Sequence, residues 1–176
     1  MSREALADYI RRECMPPSEE FALSSGRRSS LYFDLKRLLF DGEYGSLAAD
    51  ELLEIMATRF PNVRVIGGEG VGGAAVIGQL FAAAQRKNYP IISAFLVYHR
   101  RENGLKVVSN VPPSGTDVIV VDDVATTGHA LGIARDFVPQ CNVVAGAVII
   151  DRSQGDAERN LGFPVISVFS ESAFVE

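Results

Sequence analysis

The chain predicts an α/β fold, a mostly parallel sheet flanked by helices, and three observations carry that expectation. Short apolar, β-branched runs recur at 63–66, 91–97, 118–121, 143–150 and 164–169, each bounded by turn residues as buried strands are. Helical spacings separate most of these runs, and strand–helix alternation builds parallel sheets with right-handed crossovers. The total of 176 residues, 47% hydrophobic and 22% charged, is that of one ordinary globular domain with a sizeable core.

Taken in order, residues 3–13 carry Leu6, Tyr9 and Ile10 at helical spacing and end at Pro16-Pro17. Phe21-Ala22-Leu23 and Leu31-Tyr32-Phe33-Asp34 read as short strands around a polar turn, Ser24 to Ser30. Asp41-Gly42 opens a helix with Ala48, Leu52, Ile55 and Met56 on one face. Strand 63–66 leads into the Gly-rich loop 67–73, helix 74–86 and strand 91–97. A polar stretch, 98–116, contains Asn103-Gly104 and Pro112-Pro113 and interrupts the alternation. A segment of that length inside a compact domain is expected to be a lid, or else an exposed hairpin turning at Asn103-Gly104. Strand 118–121 is followed by a helix with apolar Ala130, Ile133, Ala134 and Phe137, then by strands 143–150 and 164–169. The expected organisation is a single domain, 1–176, with a small N-terminal hood at about 1–40 and a flexible lid at about 98–116.

The chemistry concentrates at Val118-Ile119-Val120-Val121-Asp122-Asp123-Val124-Ala125-Thr126-Thr127-Gly128. In open α/β sheets ligands bind beyond the carboxyl ends of strands, which is where Asp122 and Asp123 fall. The turn after them offers backbone N–H groups, two hydroxyls and the positive end of a helix dipole, a setting for a phosphate monoester. Carboxylates repel a bare phosphate, so the combination suits a ribose 5-phosphate, its hydroxyls on the carboxylates and its phosphate on the turn. A plainer reading makes the Asp pair a helix cap.

The loop Gly67-Gly68-Glu69-Gly70-Val71-Gly72-Gly73 follows a strand and feeds a helix, as a pyrophosphate-binding backbone does. Gly68 to Gly73 also matches G-x-G-x-x-G, but the dinucleotide fingerprint needs an acid at the end of the next strand, and 91–97 ends in Tyr98-His99. A Walker A loop is excluded because no Gly-Lys-Ser/Thr follows. The polar stretch brings His99, Arg100, Arg101, Glu102 and Lys106, so it could close its cationic groups over an anionic transition state. His129 reads as a surface residue in a first helical turn.

Net charge is −5, and no Lys/Arg-rich run provides a footprint for nucleic acid. No apolar run reaches membrane-spanning length, and the first residues lack a signal-peptide core. Cys14 and Cys141 have no metal spacing and are expected as reduced thiols in a cytoplasmic protein.

The run Val120 to Gly128 resembles the phosphoribosyl-diphosphate (PRPP) motif of the type I phosphoribosyltransferases. The segment Phe21 to Asp34 resembles the hood of the orotate phosphoribosyltransferase branch, Gly67 to Gly73 its pyrophosphate loop, and Asp151-Arg152 its orotate-carboxylate position. The resemblance spans roughly 20–152. It implies transfer of ribose 5-phosphate from PRPP to orotate, giving orotidine 5′-monophosphate and pyrophosphate for pyrimidine nucleotide biosynthesis. It also implies a homodimer, and Mg²⁺ carried by PRPP rather than by a dedicated protein cage.

The site residues implied are Asp122 and Asp123 on the ribose and Val124, Ala125, Thr126, Thr127 and Gly128 on the 5′-phosphate. Glu69, Gly70, Val71, Gly72, Arg100 and Arg101 fall to pyrophosphate, with Arg101 and Lys106 as lid cations in catalysis. Arg152, Ser25, Gly26, Tyr32 and Phe33 fall to the base. Arg152 reads otherwise as a surface salt bridge, and Tyr32 and Phe33 as core. The chain departs from the family where Ser24 stands for a hood lysine. A gapless lid register sets Val97-Tyr98 for an Arg-Lys pair, Arg101 for the lid lysine and Asn103 for a histidine. A shifted register instead uses Arg100-Arg101 and Lys106. A transferase for another base, or a PRPP-binding regulator without turnover, are the alternatives.

Overall fold

A computed structural model describes residues 2–16, 32–99 and 106–175, and the backbone of 21–22 and 28–29. Helix α1 (Arg3–Tyr9) starts at Ser2, whose Oγ accepts from the Ala5 N–H at 3.3 Å, and runs into a π-helical turn, Ile10–Cys14. Strands β1 (Phe21–Ala22) and β2 (Arg28–Ser29) pair antiparallel. Then follow α2 (Lys36–Leu39), α3 (Tyr44–Arg59), β3 (Val65–Glu69), α4 (Gly70–Arg86), β4 (Ser93–His99) and β5 (Lys106–Ser109). The chain continues through β6 (Asp117–Ala125), α5 (His129–Asp136), β7 (Asn142–Asp151), α6 (Asp156–Leu161) and β8 (Val165–Ser170) to a 3₁₀ turn, Glu171–Phe174.

The main sheet has six strands in the order β5-β4-β3-β6-β7-β8, parallel throughout except for the antiparallel edge pair β4–β5. Residue alternation along β6 divides the core in two. Ile119 and Val121 join the layer built by α1, α3 and α4, with Leu6, Leu52 and Leu80. Val118 and Val120 join the opposite layer with Leu131 and Ala134 of α5 and Leu161 of α6. A strand buried on both faces needs an unbroken apolar run, which is what 118–121 provides. Helix α1 packs into the first layer through Leu6 and the π-helical turn through Ile10, both at 0% exposure. Both cysteines carry free thiols, and burial pushes the Cys14 thiol up to about 11.

Three expectations change. The stretch 32–34 is not a strand: the Asp34 N–H donates to Cys14 O at 2.8 Å and the Asp34 carbonyl accepts from the Arg37 N–H. Its backbone is thereby committed to the π-turn and α2 instead of to a ladder, and β1 takes Arg28–Ser29 as partner.

The segment 67–73 is not a loop. Gly67, Gly68 and Glu69 complete β3, and α4 begins at Gly70. Packing explains three of these glycines: a Cβ on Gly67 would lie 2.0 Å from Cζ of Phe95, and Gly68 and Gly73 press on each other's backbone.

The polar stretch 98–116 is in part sheet. Tyr98 and His99 extend β4 and pair with Val107 and Lys106 of β5, so a hairpin forms the base of the expected lid. Arg100, Arg101, Asn103 and Gly104 lie outside the described residues, as do Ser24, Ser25 and Gly26 of the expected hood.

Candidate active site

Connections leave β3 in one direction, toward β4, while β6, β7 and β8 lie on its other side. The order therefore reverses between β3 and β6, and such a switch point opens a crevice at the carboxyl ends of the strands. The β3–α4 junction and the end of β6 meet there. Gly70 has φ +64°, a left-handed conformation that glycine adopts without strain, and it turns β3 sharply into α4. Two residues on, a Cβ on Gly72 would lie 2.5 Å from Oδ1 of Asp122 and 2.8 Å from Oδ1 of Asp123. The glycine lets the helix start close against both carboxylates.

Strand β6 extends through Ala125, four residues beyond the apolar run, so the Asp pair sits within the strand rather than just past its end. Each carboxylate is steadied locally: Asp122 Oδ1 accepts from the Asp123 N–H and Asp123 Oδ1 from the Val124 N–H, both at 2.9 Å. The helix-cap reading is not met, since α5 has Gly128 at its N-cap and no side-chain cap bond. Burial, then the charge of Asp123 and more weakly that of Glu69, hold the Asp122 carboxyl well above the usual carboxylate range. Like charges gathered in a buried place mark a site that expects donors or cations.

The turn 126–128 closes against α6. Asn160 Nδ2 donates to Thr127 O at 3.0 Å, and Gly128 has φ +80° with Leu161 packed where a Cβ would stand. The first α5 bond runs from the Gly132 N–H to Gly128 O at 2.8 Å. The N–H groups of 129–131 precede it, and they are the donors that a helix start leaves for an anion. A cleft of about 510 Å³ lies there, lined by Asp122, Val124, Ala125 and Thr126 on the strand side and by Thr127 to Leu131 on the helix side. His129 is exposed on the helix.

Glu69, the last residue of β3, pairs with Lys106, the first of β5, at 2.9 Å. Lys106 thus comes to the β3–α4 junction, which sequence separation did not reveal. Val71 is 62% exposed at the start of α4. His99 stands exposed opposite Lys106 in the hairpin.

The base-binding candidates fall into a different environment. Tyr32 is half exposed, whereas Phe33 is core and packs edge-to-face on Phe174 with centroids 5.3 Å apart. Arg152 is buried, its guanidinium 5.2 Å from the Phe33 centroid and paired with Glu171. It does form an ion pair, but an interior one. Its N–H donates to Ala125 O at 2.8 Å, so the arginine is tied directly to the end of β6. Sequence reasoning missed Glu171 and Asn160, because both reach the site through pairings that no local motif signals.

No family model matches the chain. An orotate phosphoribosyltransferase of Rhodopseudomonas palustris is 32% identical over 184 residues, covering 99% of this chain and 97% of that protein. One from Aeropyrum pernix is 33% identical over 178 residues, covering 98% and 92%. The crystal structure of the Mycobacterium tuberculosis H37Rv orotate phosphoribosyltransferase superposes with a TM-score of 0.74 at 27% identity, over 99% of both chains. With whole-length relatives above 30% identity and a shared architecture, this chain belongs to the orotate phosphoribosyltransferase family.

Proposed function

We propose that the protein transfers the 5-phosphoribosyl group of PRPP to orotate, releasing pyrophosphate. The observation that carries the reading is the convergence of Gly72 on Asp122 and Asp123 beside an uncapped helix start. A sugar with a phosphate at one end and a pyrophosphate at the other matches that arrangement. Family membership supports the choice of donor and acceptor.

In the reaction the bond from the ribose anomeric carbon to the pyrophosphate oxygen breaks, a bond to the base nitrogen forms, and the proton of that nitrogen passes to the departing pyrophosphate or to water. Positive charge grows on the sugar, and negative charge on the leaving group. Asp122 and Asp123 would accept hydrogen bonds from the ribose hydroxyls and face the developing cation, an electrostatic contribution fixed before the reaction begins. Hydroxyl donors favour the charged carboxylate, so the bound sugar would draw Asp122 back toward ionisation. The turn 125–128 and the first N–H groups of α5 would hold the 5′-phosphate. Main-chain N–H groups at Gly70, Val71 and Gly72 would meet the pyrophosphate, with Lys106 beside them. Glu69, itself an anion, would serve by holding Lys106 rather than by touching phosphate. Arg152 would take the orotate carboxylate. Catalysis on this scheme is positioning and charge complementarity.

Among the described residues no three metal-ligating side chains cluster. The repulsion among Asp122, Asp123 and Glu69 nonetheless fits a divalent ion that rides on substrate phosphates, keeps its waters and takes at most one or two carboxylates. When bound, Mg²⁺ supplies neutralising charge to the leaving pyrophosphate. A homodimer and a cytoplasmic setting belong to the same proposal through the family resemblance. No helix among the described residues is long and apolar enough to cross a membrane.

The test is pyrophosphate release from PRPP and Mg²⁺ with orotate, uracil, adenine, guanine or xanthine. Release with orotate alone is the expected result. Release with another base only overturns the acceptor, and PRPP binding without release under any base overturns the enzyme in favour of a sensor.

A further inference from the structure

Ala125, Asp151 and Ser170 stand in one row across β6, β7 and β8. The residue after each leaves the sheet at the same edge: Thr126 enters the phosphate turn, Arg152 turns inward, and Glu171 opens the 3₁₀ turn. The Arg152 N–H closes the row by donating to Ala125 O. Glu171 then reaches back with a single oxygen. Its Oε1 accepts from Nε of Arg152 at 2.9 Å and lies 2.8 Å from Nη2. One edge of the guanidinium is thereby fixed, while Phe33 covers its face. The arginine side chain is 4% exposed and the glutamate 16%.

The turn that carries Glu171 is itself held. Phe174 is buried between Phe33 and Phe169, with centroids 5.3 and 5.4 Å away. Arg11 donates to Ala173 O at 2.8 Å and lies over the Phe174 ring. A carboxylate on such a turn has little freedom, and a guanidinium spanned by it cannot turn about its own axis without breaking both contacts. Arginine recognises carboxylates through a planar fork whose orientation decides the fit.

We propose that Glu171 is the positioning residue of the acceptor site, orienting Arg152 for the acceptor's carboxylate and supplying its countercharge when no acceptor is bound. The proposal rests on the assignment of Arg152 to orotate. Glu171 touches no reacting atom, so its removal acts on acceptor affinity and leaves the donor half of the site alone.

The experiment measures initial rates for the wild type, Glu171→Gln and Glu171→Asp, varying orotate and PRPP separately, with a thermal unfolding curve for each protein. Glu171→Gln should raise the orotate KM at least fivefold, with kcat and the PRPP KM within twofold of wild type. Glu171→Asp keeps the charge on a shorter reach and should fall between the two. If Glu171→Gln does not fold, the aspartate variant carries the comparison. An unchanged orotate KM overturns the proposal, and so does a lowered one, which would make Glu171 a competitor of the acceptor. Equal losses in both KM values together with a lower melting point would reduce it to a structural residue. A wild type that turns over PRPP without orotate overturns the acceptor assignment itself, a failure visible before any variant is made.

Discussion

Glycines with different reasons for being glycine stand within four residues of one another. Gly70 needs only its left-handed backbone, because nothing lies within 4 Å of where its Cβ would be. Alanine there costs about 1–2 kcal/mol of conformational strain. Gly72 has an ordinary backbone but abuts both carboxylates. Gly72→Ala should therefore displace Asp122 and Asp123 and lower kcat/KM for PRPP at least tenfold with a small change in melting temperature. Gly70→Ala should show the reverse balance, and equal activity losses in the two variants would refute the distinction. Asp122 makes a second prediction. Its native carboxyl is held above the ordinary value near 3.9, so the folded state binds its proton more tightly than the unfolded chain does. The stabilisation is complete below the unfolded value and is lost as pH rises through the raised native value. Asp122→Asn removes that loss: the variant should melt higher than wild type at neutral pH, and the difference should shrink toward pH 4. Turnover should be abolished, and a variant less stable than wild type at pH 7.5 would contradict the burial argument.

The elements around the site divide into those that build it from one side and those that bring groups across. Strand β6 and helix α5 are contiguous, and their strand–turn–helix pattern was visible in the order of residues 118–137. The hairpin β4–β5 is different, since among the described residues it delivers Lys106 to the end of β3. The Glu69–Lys106 pair is partly buried, with side-chain exposures of 18% and 26%, yet neighbouring acids at Asp122 and Asp123 already crowd that edge. Lys106→Met should raise the PRPP KM several-fold and leave the orotate KM unchanged, measured in the same assay. An unchanged PRPP KM would return Lys106 to a plain strand-end ion pair, a kind of contact worth about 1 kcal/mol or less where solvent reaches it.

For the molecule as a whole, legibility followed locality. The parallel sheet and the strand–turn–helix of 118–137 could be read because buried strands and helix starts write themselves in runs of adjacent residues. The glycines of 67–73 look like a loop in the order of residues alone, because Phe95, on the next strand, decides why Gly67 has no side chain. Glu171 was invisible because its meeting with Arg152 requires the register of β6, β7 and β8. The same long-range construction has a thermodynamic consequence. The candidate site draws on β3, α4, β6, α5, α6 and the end of β7, which share the two core layers, so a ligand bound there stabilises the cooperative unit and not a single turn. A ligand that binds only the folded state at 100 times its dissociation constant adds about 2.7 kcal/mol. For a domain of this size each kcal/mol moves the midpoint by about 2–4 °C. PRPP with Mg²⁺ at that excess should therefore raise the melting temperature by about 5–11 °C in differential scanning fluorimetry. Asp122→Asn/Asp123→Asn should lose most of that shift while still unfolding in one transition. An equal shift in wild type and double variant would place PRPP elsewhere on the protein, and its absence from both would remove the donor from the reading altogether.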